Sequence, residues 1–201
     1  MTGKFVVIEG DDYAGKTTFV EYLKERHPEY VYNREPSGKI REILLANDGR
    51  EIDPLTRFHL FWASRAENLN KIIIPALETG KVVVSDRFDA STFAYQVGGD
   101  GRRDLEVLFW QTRKLHLESV SISYIFFNIP LFVANRRRKN RKGEKNHFDN
   151  QLAAYRKEVS NFYWVFFRNK QVKKDSHSFN SDKPRQQMLA EAYELFQSLV
   201  P

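Results

Sequence analysis

The stretch "IEGDDYAGKTT", residues 8–18, decides how the chain is read. It follows an apolar run and leads into a segment with helical apolar spacing. Within it Gly10, Gly15, Lys16 and Thr17 spell G-x-x-x-x-G-K-T. A strand, a glycine loop and a helix start, in that order, gather backbone N–H groups around one concavity at a helix N-terminus. That geometry suits phosphates. In such a loop Lys16 reaches the β- and γ-phosphates and the Thr17 hydroxyl ligates Mg²⁺. Gly10, Asp11, Asp12, Tyr13, Ala14, Gly15 and Thr18 complete the expected phosphate contacts. Tyr13 is the odd member, a bulky neutral ring where a small or basic residue is expected.

Working outward, "KFVVIEG" (4–10) predicts a buried strand and "TTFVEYLKERH" (17–27) the helix after it. "EYVYNREP" (29–36) predicts a second strand ended by Pro36. Apolar residues at Leu55, Phe58, Phe61, Trp62, Leu69, Ile72 and Ile73 predict one long helix over 54–74. "GKVVVSD" (80–86) is a β-branched run bounded by glycine, a central strand. Helices are expected over 89–97 and 103–117, with "GGDGRRD" a loop between them. "ISYIFFNI" (122–129) predicts another buried strand. A helix over 149–167 and a short strand "SHSFN" (176–180) follow. Ser181 or Asp182 is expected to cap the final helix, with Pro184 near its first turn. Strands alternating with helices imply a parallel sheet covered on both sides.

At 201 residues, 41% hydrophobic and 29% charged, the chain suits one globular domain over 1–201. It has no run of ~18 apolar residues, and the N-terminal residues run straight into the first strand, so no membrane span or targeting segment is expected and the chain reads as cytoplasmic. The absence of cysteine excludes disulfides, thiolate metal sites and cysteine nucleophiles. The five histidines show no metal-ligand spacing. The net charge of +6 belongs to one segment, "RRRKNRKGEK" (136–145), which holds seven basic residues and one acid. No stable nucleic-acid partner is therefore expected, although a nucleic-acid-binding ATPase using this segment stays open as a distant alternative.

The phosphate loop alone permits several classes of nucleotide enzyme. The absence of an N-K-x-D guanine motif sets aside a GTPase. Arg87 follows Asp86 at the C-terminal end of a strand, where ligands of open α/β sheets bind, and a guanidinium there can clamp a second phosphate bidentately. Asp86 ends its apolar strand as a metal-ordering acid does and can hold Mg²⁺ through water. Phe61 and Arg65, four apart, share a helix face. Thr92, Tyr95 and Gln96 stand at i, i+3 and i+4.

"FVVIEGDDYAGKTT", "NREP", "FWASRAENLNKIIIPALETGKVVVSDRFDASTFAYQ" and "KGEKNHFD" together resemble the thymidylate kinase family, particularly its bacterial type. The resemblance is densest over 5–18 and 57–96. It implies a P-loop NTPase fold, a parallel β-sheet flanked by helices, with a short lid at about 136–149. It implies ATP as phosphate donor with Mg²⁺, dTMP as acceptor, and a homodimer. It assigns Arg87, Arg34 with its neighbour Glu35, and Arg41 to the dTMP side. Phe61 stacks on thymine, Arg65 meets a base carbonyl, and Thr92, Tyr95 and Gln96 surround base and sugar. Asp12 matches the family's loop carboxylate, near the acceptor's 3′-OH and the metal, and Asp11 is expected to be a solvated neighbour. Asn180 and Asp182 border the ATP base. Since Tyr13 brings no cation, the charge for the transferring phosphoryl is expected from the lid, with Arg137, Arg138, Arg141 and Lys142 the candidates. Three features depart from the family's pattern: Tyr13, His147 in place of an arginine, and a short "REPSGKIREI" segment. A broader deoxynucleoside monophosphate kinase, or a deoxynucleoside kinase, stays open beside the leading reading.

Overall fold

The computed structural model describes residues 2–46, 51–140 and 153–200. Five strands form one parallel sheet: β1 (Lys4–Gly10), β2 (Val31–Arg34), β3 (Val82–Asp86), β4 (Ser123–Asn128) and β5 (Ser176–Asn180), in the order β2-β3-β1-β4-β5. The helices between them are α1 (Lys16–Arg26), α2 (Gly38–Leu45), α3 (Pro54–Asn68), α4 (Ile74–Glu78), α5 (Asp89–Thr92), α6 (Glu106–Leu117), α7 (Leu131–Asn140), α8 (Ala153–Arg168) and α9 (Arg185–Leu199).

The period-2 alternation of β1 separates two cores. Phe5 and Val7 face the layer built from α3, α6 and α8, while Val6 and Ile8 face α1 and α9. The same division runs through β4, with Tyr124 and Phe126 on the first side and Ile125 and Phe127 on the second. The first layer is largely aromatic: Phe93, Phe109, Trp110 and Phe166 pack with ring centroids 4.9 to 6.1 Å apart. Buried rings of this kind supply much of the apolar area that stabilises a domain of this size.

Each strand anticipated from the sequence is present, and the parallel sheet with helices on both faces is the P-loop NTPase arrangement. The differences are local. The long helix over 54–74 is α3, then a π-helical turn (Leu69–Ile73), then α4, which admits Pro75 near its start. The segment read as a helix over 89–97 is likewise α5 followed by a π-helical stretch, Phe93–Gly99. The short helix α2 was not anticipated. Neither Ser181 nor Asp182 caps the last helix: Ser181 is buried and donates to the Asn128 carbonyl at 3.1 Å, and α9 begins after Pro184 with no side-chain cap. The part of the expected helix over 149–152 lies outside the described residues. Among the described residues no helix is long and apolar enough to cross a membrane.

The π-helical stretch packs against α8 through glycine. A Cβ on Gly98 would lie 2.4 Å from the Phe162 ring, and one on Gly99 would lie 2.6 Å from that of Tyr155. Gly98→Ala must push the two elements apart. It is expected to lower stability by about 1–3 kcal/mol, measured as a shifted midpoint in urea denaturation.

Candidate active site

The C-terminal ends of β1 and β3 open into a cleft of about 730 Å³, within the usual range for small-molecule sites. The chain reaches β2 and β3 on one side of β1 and then crosses to β4 on the other, so this is the topological switch point of the sheet. Register places Ile8 opposite Asp86 and Arg34 opposite Asp86, bringing the ends of three strands to one rim.

The phosphate loop leaves β1 through Gly10, whose φ of 138° and close neighbour, the Phe127 carbonyl at 2.3 Å from an added Cβ, admit only glycine. Gly15, at φ 99°, opens α1. Tyr13 takes the left-handed region at φ 67°. This is costly for a bulky residue, but it turns the loop as a glycine would. The Ala14 N–H donates to the Asp11 carbonyl at 3.3 Å, and Lys16 Nζ donates to the same oxygen at 2.6 Å. Asp11 is therefore not the solvated neighbour expected. Its side chain is buried, and burial pushes its carboxyl up to about 6. The loop closes over it so that its carbonyl can hold Lys16.

Thr17 Oγ1 donates to Asp86 Oδ2 at 3.0 Å, while Asp86 Oδ1 is buried with no hydrogen-bond partner among the described residues. A hydroxyl and an orphaned carboxylate oxygen beside the phosphate loop form a hard oxygen set of the type Mg²⁺ prefers. The residues present fit that ion.

On the far wall, Arg87 also occupies the left-handed region, at φ 70°. Its Nη2 pairs with Asp12 Oδ1, and Tyr95 OH donates to Asp12 Oδ2 at 2.8 Å. Burial alone would raise the Asp12 carboxyl, but Arg87 and Lys16 outweigh it and hold it below its ordinary value. Arg34 and Arg41 line the cleft beside them. Burial and the neighbouring Arg34 charge both depress Arg41. Clustered cations of this type are the mark of an anion site.

The base end is built on one face of α3. Phe61 lines the cleft, and Arg65 is 1% exposed beneath it. Arg65 Nη2 donates to the Phe88 carbonyl and Thr92 Oγ1, both at 2.9 Å, and pairs with Glu35 at 2.8 Å. Burial pushes Glu35 up to about 7 despite that pair. Glu35 thus sits behind Arg65, and Gln96 is buried in the same wall.

Arg137 joins the cleft differently from the lid cation expected. Its Nη1 donates to the Tyr13 carbonyl at 3.1 Å and its Nη2 to the Ser181 carbonyl at 2.9 Å, tying the phosphate loop to the loop after β5. Asn180, Asp182 and Arg138 do not line the cleft, though Ser181 brings 180–182 alongside through Arg137. Arg141, Lys142 and His147 lie outside the described residues.

The sequence reading missed Arg57, which lines the cleft and pairs with Asp100 at 2.7 Å. Its position four before Phe61 and eight before Arg65 was the signal. It also missed Glu9, a charge inside an apolar strand, and Ser91 and Tyr163, whose hydroxyls meet Arg87 Nη1 at 3.1 and 3.0 Å.

A sequence model of the family described as thymidylate kinase matches residues 8–183. The chain belongs to the thymidylate kinase family. It is 37% identical over 166 residues to the thymidylate kinase of Mesoplasma florum, covering 77% of each chain. It is 34% identical over 206 residues to that of Ureaplasma parvum serovar 3, covering 96% of this chain and 88% of the other. The match to thymidylate kinase of Pseudomonas fluorescens SBW25 reaches 46% over 110 residues, half of this chain and about half the length of that relative, 52%. The matched range of the thymidylate kinase family, 8–183, takes in every cleft element from the phosphate loop to the 180–182 loop.

Burial and the nearby Arg87 charge push Lys16 down to about 8. Its charge is present below that pH and lost above it, and phosphate binding favours the charged form. Affinity for MgATP is expected to be steady from pH 6.5 to 7.5 and to fall as pH rises through about 8 and beyond. Isothermal titration across this range checks it, with Lys16→Ala flat over the same interval.

Proposed function

We propose that the protein transfers the γ-phosphoryl group of ATP to dTMP, giving ADP and dTDP for deoxynucleotide synthesis. The observation that carries the acceptor is Arg65. Among the described residues its Nε and Nη1 have no hydrogen-bond partner, although the side chain is buried at the floor of the cleft. A buried guanidinium with idle donors asks for a carbonyl oxygen. Thymine offers one where cytosine presents an amino group, and a second donor at that point leaves both groups unsatisfied. Phe61 gives the base its stacking surface.

Arg87, Arg34 and Arg41 hold the 5′-phosphate of the acceptor, a nucleophile already ionised at neutral pH. One of its oxygens forms the new bond to the γ-phosphorus as the bond to the ADP oxygen breaks, so no general base is required. The work of the protein is in-line positioning and neutralisation of charge. Lys16 and the backbone N–H groups of the loop grip the donor phosphates. Thr17 and Asp86 would hold Mg²⁺, which when bound would supply charge to the same phosphates. Asp12 and Tyr95 stand at the sugar, where a 2′-OH would crowd the ring, so a deoxyribose is favoured.

The proposal includes one domain over 1–201 with a lid at about 136–149, a cytoplasmic site of action, and a homodimer. Leu115 and Val107 on α6, Leu55 on α3 and Ile72 in the π-turn expose apolar side chains that suit a dimer face. Sedimentation at micromolar concentration is expected to give twice the chain mass, and a monomer there removes this part.

The acceptor is tested by a coupled assay with dTMP, dUMP, dCMP, dGMP, UMP and thymidine. dTMP is expected to lead, with dCMP poorer in kcat/KM by at least about a hundredfold. Equal turnover of all five monophosphates would replace this reading with a broad nucleotide kinase, and turnover of thymidine with a nucleoside kinase.

A further inference from the structure

Glu9 is the one ionisable side chain in the interior of β1, and it is fully buried. A carboxylate inside a sheet is expensive unless its oxygens are satisfied, and here four donors converge on it. Oε1 accepts the Phe88 N–H at 2.7 Å and the Ser91 N–H at 3.0 Å. Oε2 accepts the Ser91 hydroxyl at 2.7 Å and the Tyr163 hydroxyl at 3.3 Å.

These partners surround Arg87. The two N–H groups belong to the residues that follow it into α5, and the Arg87 N–H itself donates to the Ile8 carbonyl at 3.0 Å. The strained left-handed turn is thereby held from both ends by adjacent residues of β1. The two hydroxyls in turn accept from Arg87 Nη1, at 3.1 Å for Ser91 and 3.0 Å for Tyr163. The two hydroxyls also meet each other at 2.9 Å, and in either order of donation between them the chain runs from guanidinium through the hydroxyl pair to carboxylate. Tyr163 comes from α8, so the relay also fixes that helix against the same arginine.

We propose that Glu9, through Ser91 and Tyr163, is the positioning residue that aims Arg87 at the acceptor phosphate. This rests on the acceptor reading given above. Glu9 touches no substrate. As the terminal acceptor of the hydroxyl pair it leaves their lone pairs to Nη1, and so fixes which edge of the guanidinium faces the cleft.

Glu9→Gln tests the polarity of the relay at nearly constant shape. The amide oxygen still accepts the two N–H groups, but the amide nitrogen now donates toward hydroxyls that Arg87 is also donating to. Those hydroxyls lose their acceptor, and Nη1 is driven off. Calorimetric titrations of wild type, E9Q and Y163F with dTMP, thymidine and MgATP read the result. E9Q is expected to weaken dTMP by about 10- to 100-fold and Y163F by a smaller factor. Thymidine and MgATP stay within twofold in both variants, since neither uses Arg87. A merely structural role would weaken all three together, and that outcome overturns the proposal, as does unchanged dTMP affinity. Should E9Q lose its folded circular dichroism spectrum, Y163F alone decides by the same criterion. If wild type binds thymidine as tightly as dTMP, the acceptor reading falls and this proposal with it. If wild type discriminates and the variants do so equally, only the positioning role falls.

Discussion

The chain must turn left-handed immediately after β3, and most of the cleft depends on that turn. A non-glycine residue at φ 70° is held there at a cost of order 1 kcal/mol or more, and the surrounding contacts over-determine it. Its N–H is taken by β1, and the next residues are taken by a carboxylate of β1. The turn throws the Arg87 side chain back over the phosphate loop, to Asp12 and the Gly10 carbonyl, instead of onward along the strand. A right-handed turn would lead the guanidinium away from Lys16, and the two cationic grips would no longer face one cleft. The parallel pairing of β1 with β3 is thus a condition for the site as well as for the sheet.

That proximity has an electrostatic cost, visible in the shifts of the groups involved. Lys16 is depressed by burial and by Arg87, while the charges of Arg87 and Lys16 together hold Asp12 low against burial. In the cleft as it stands, Lys16 leans on a backbone carbonyl and Arg87 on Asp12. The carbonyl is a weaker acceptor than a phosphate, whereas Arg87 and Asp12 already form a charge-assisted pair. An anion entering between them replaces the neutral contact of Lys16 with a charge-assisted one and relieves the repulsion of two like charges. Cations outnumber carboxylates along the cleft, so the site is built to take in an anion.

Much of this was legible because the signals are local. The glycine spacing of the loop, the apolar runs of β1, β3 and β4, and the four-residue spacing of Phe61 and Arg65 are each set by a few neighbouring residues. The reading failed where a residue's environment comes from distant chain. Asp11 looks like an exposed turn residue, yet the loop folds over its side chain. Ser181 resembles a helix cap, but β4 presents the Asn128 carbonyl to it first. The helix α2 is short and buries little beyond Leu44, so its apolar pattern hardly rises above that of a loop. The π-helical stretch Phe93–Gly99 is invisible to a 3.6-residue period, although Tyr95 and Gln96 still reach the cleft from it, and Thr92 from the end of α5. Glu9 was missed because its one local signal is a charge in an apolar strand, and its partners lie about 80 and 150 residues away.

Tyr13 makes sense beside Arg137. A side chain at this point of the loop can contribute a cation, or the loop can offer its carbonyl outward and let a cation come to it. The left-handed conformation of Tyr13 does the second: its carbonyl faces α7 and receives Arg137 Nη1. The other nitrogen of that guanidinium reaches the Ser181 and Lys183 carbonyls at 2.9 and 3.5 Å. With its donors on three backbone oxygens, Arg137 acts as a strut between the phosphate loop and the loop after β5. To reach an anion in the cleft it must abandon those carbonyls and leave them unpaired, a cost of about 1–3 kcal/mol for each that is buried. A cation free of that debt serves better, and Lys16 and Arg87 already face the gap from the sheet side. The arginine nearest Tyr13 thus holds the loop in shape, while Lys16 and Arg87 supply the cationic grip from the sheet.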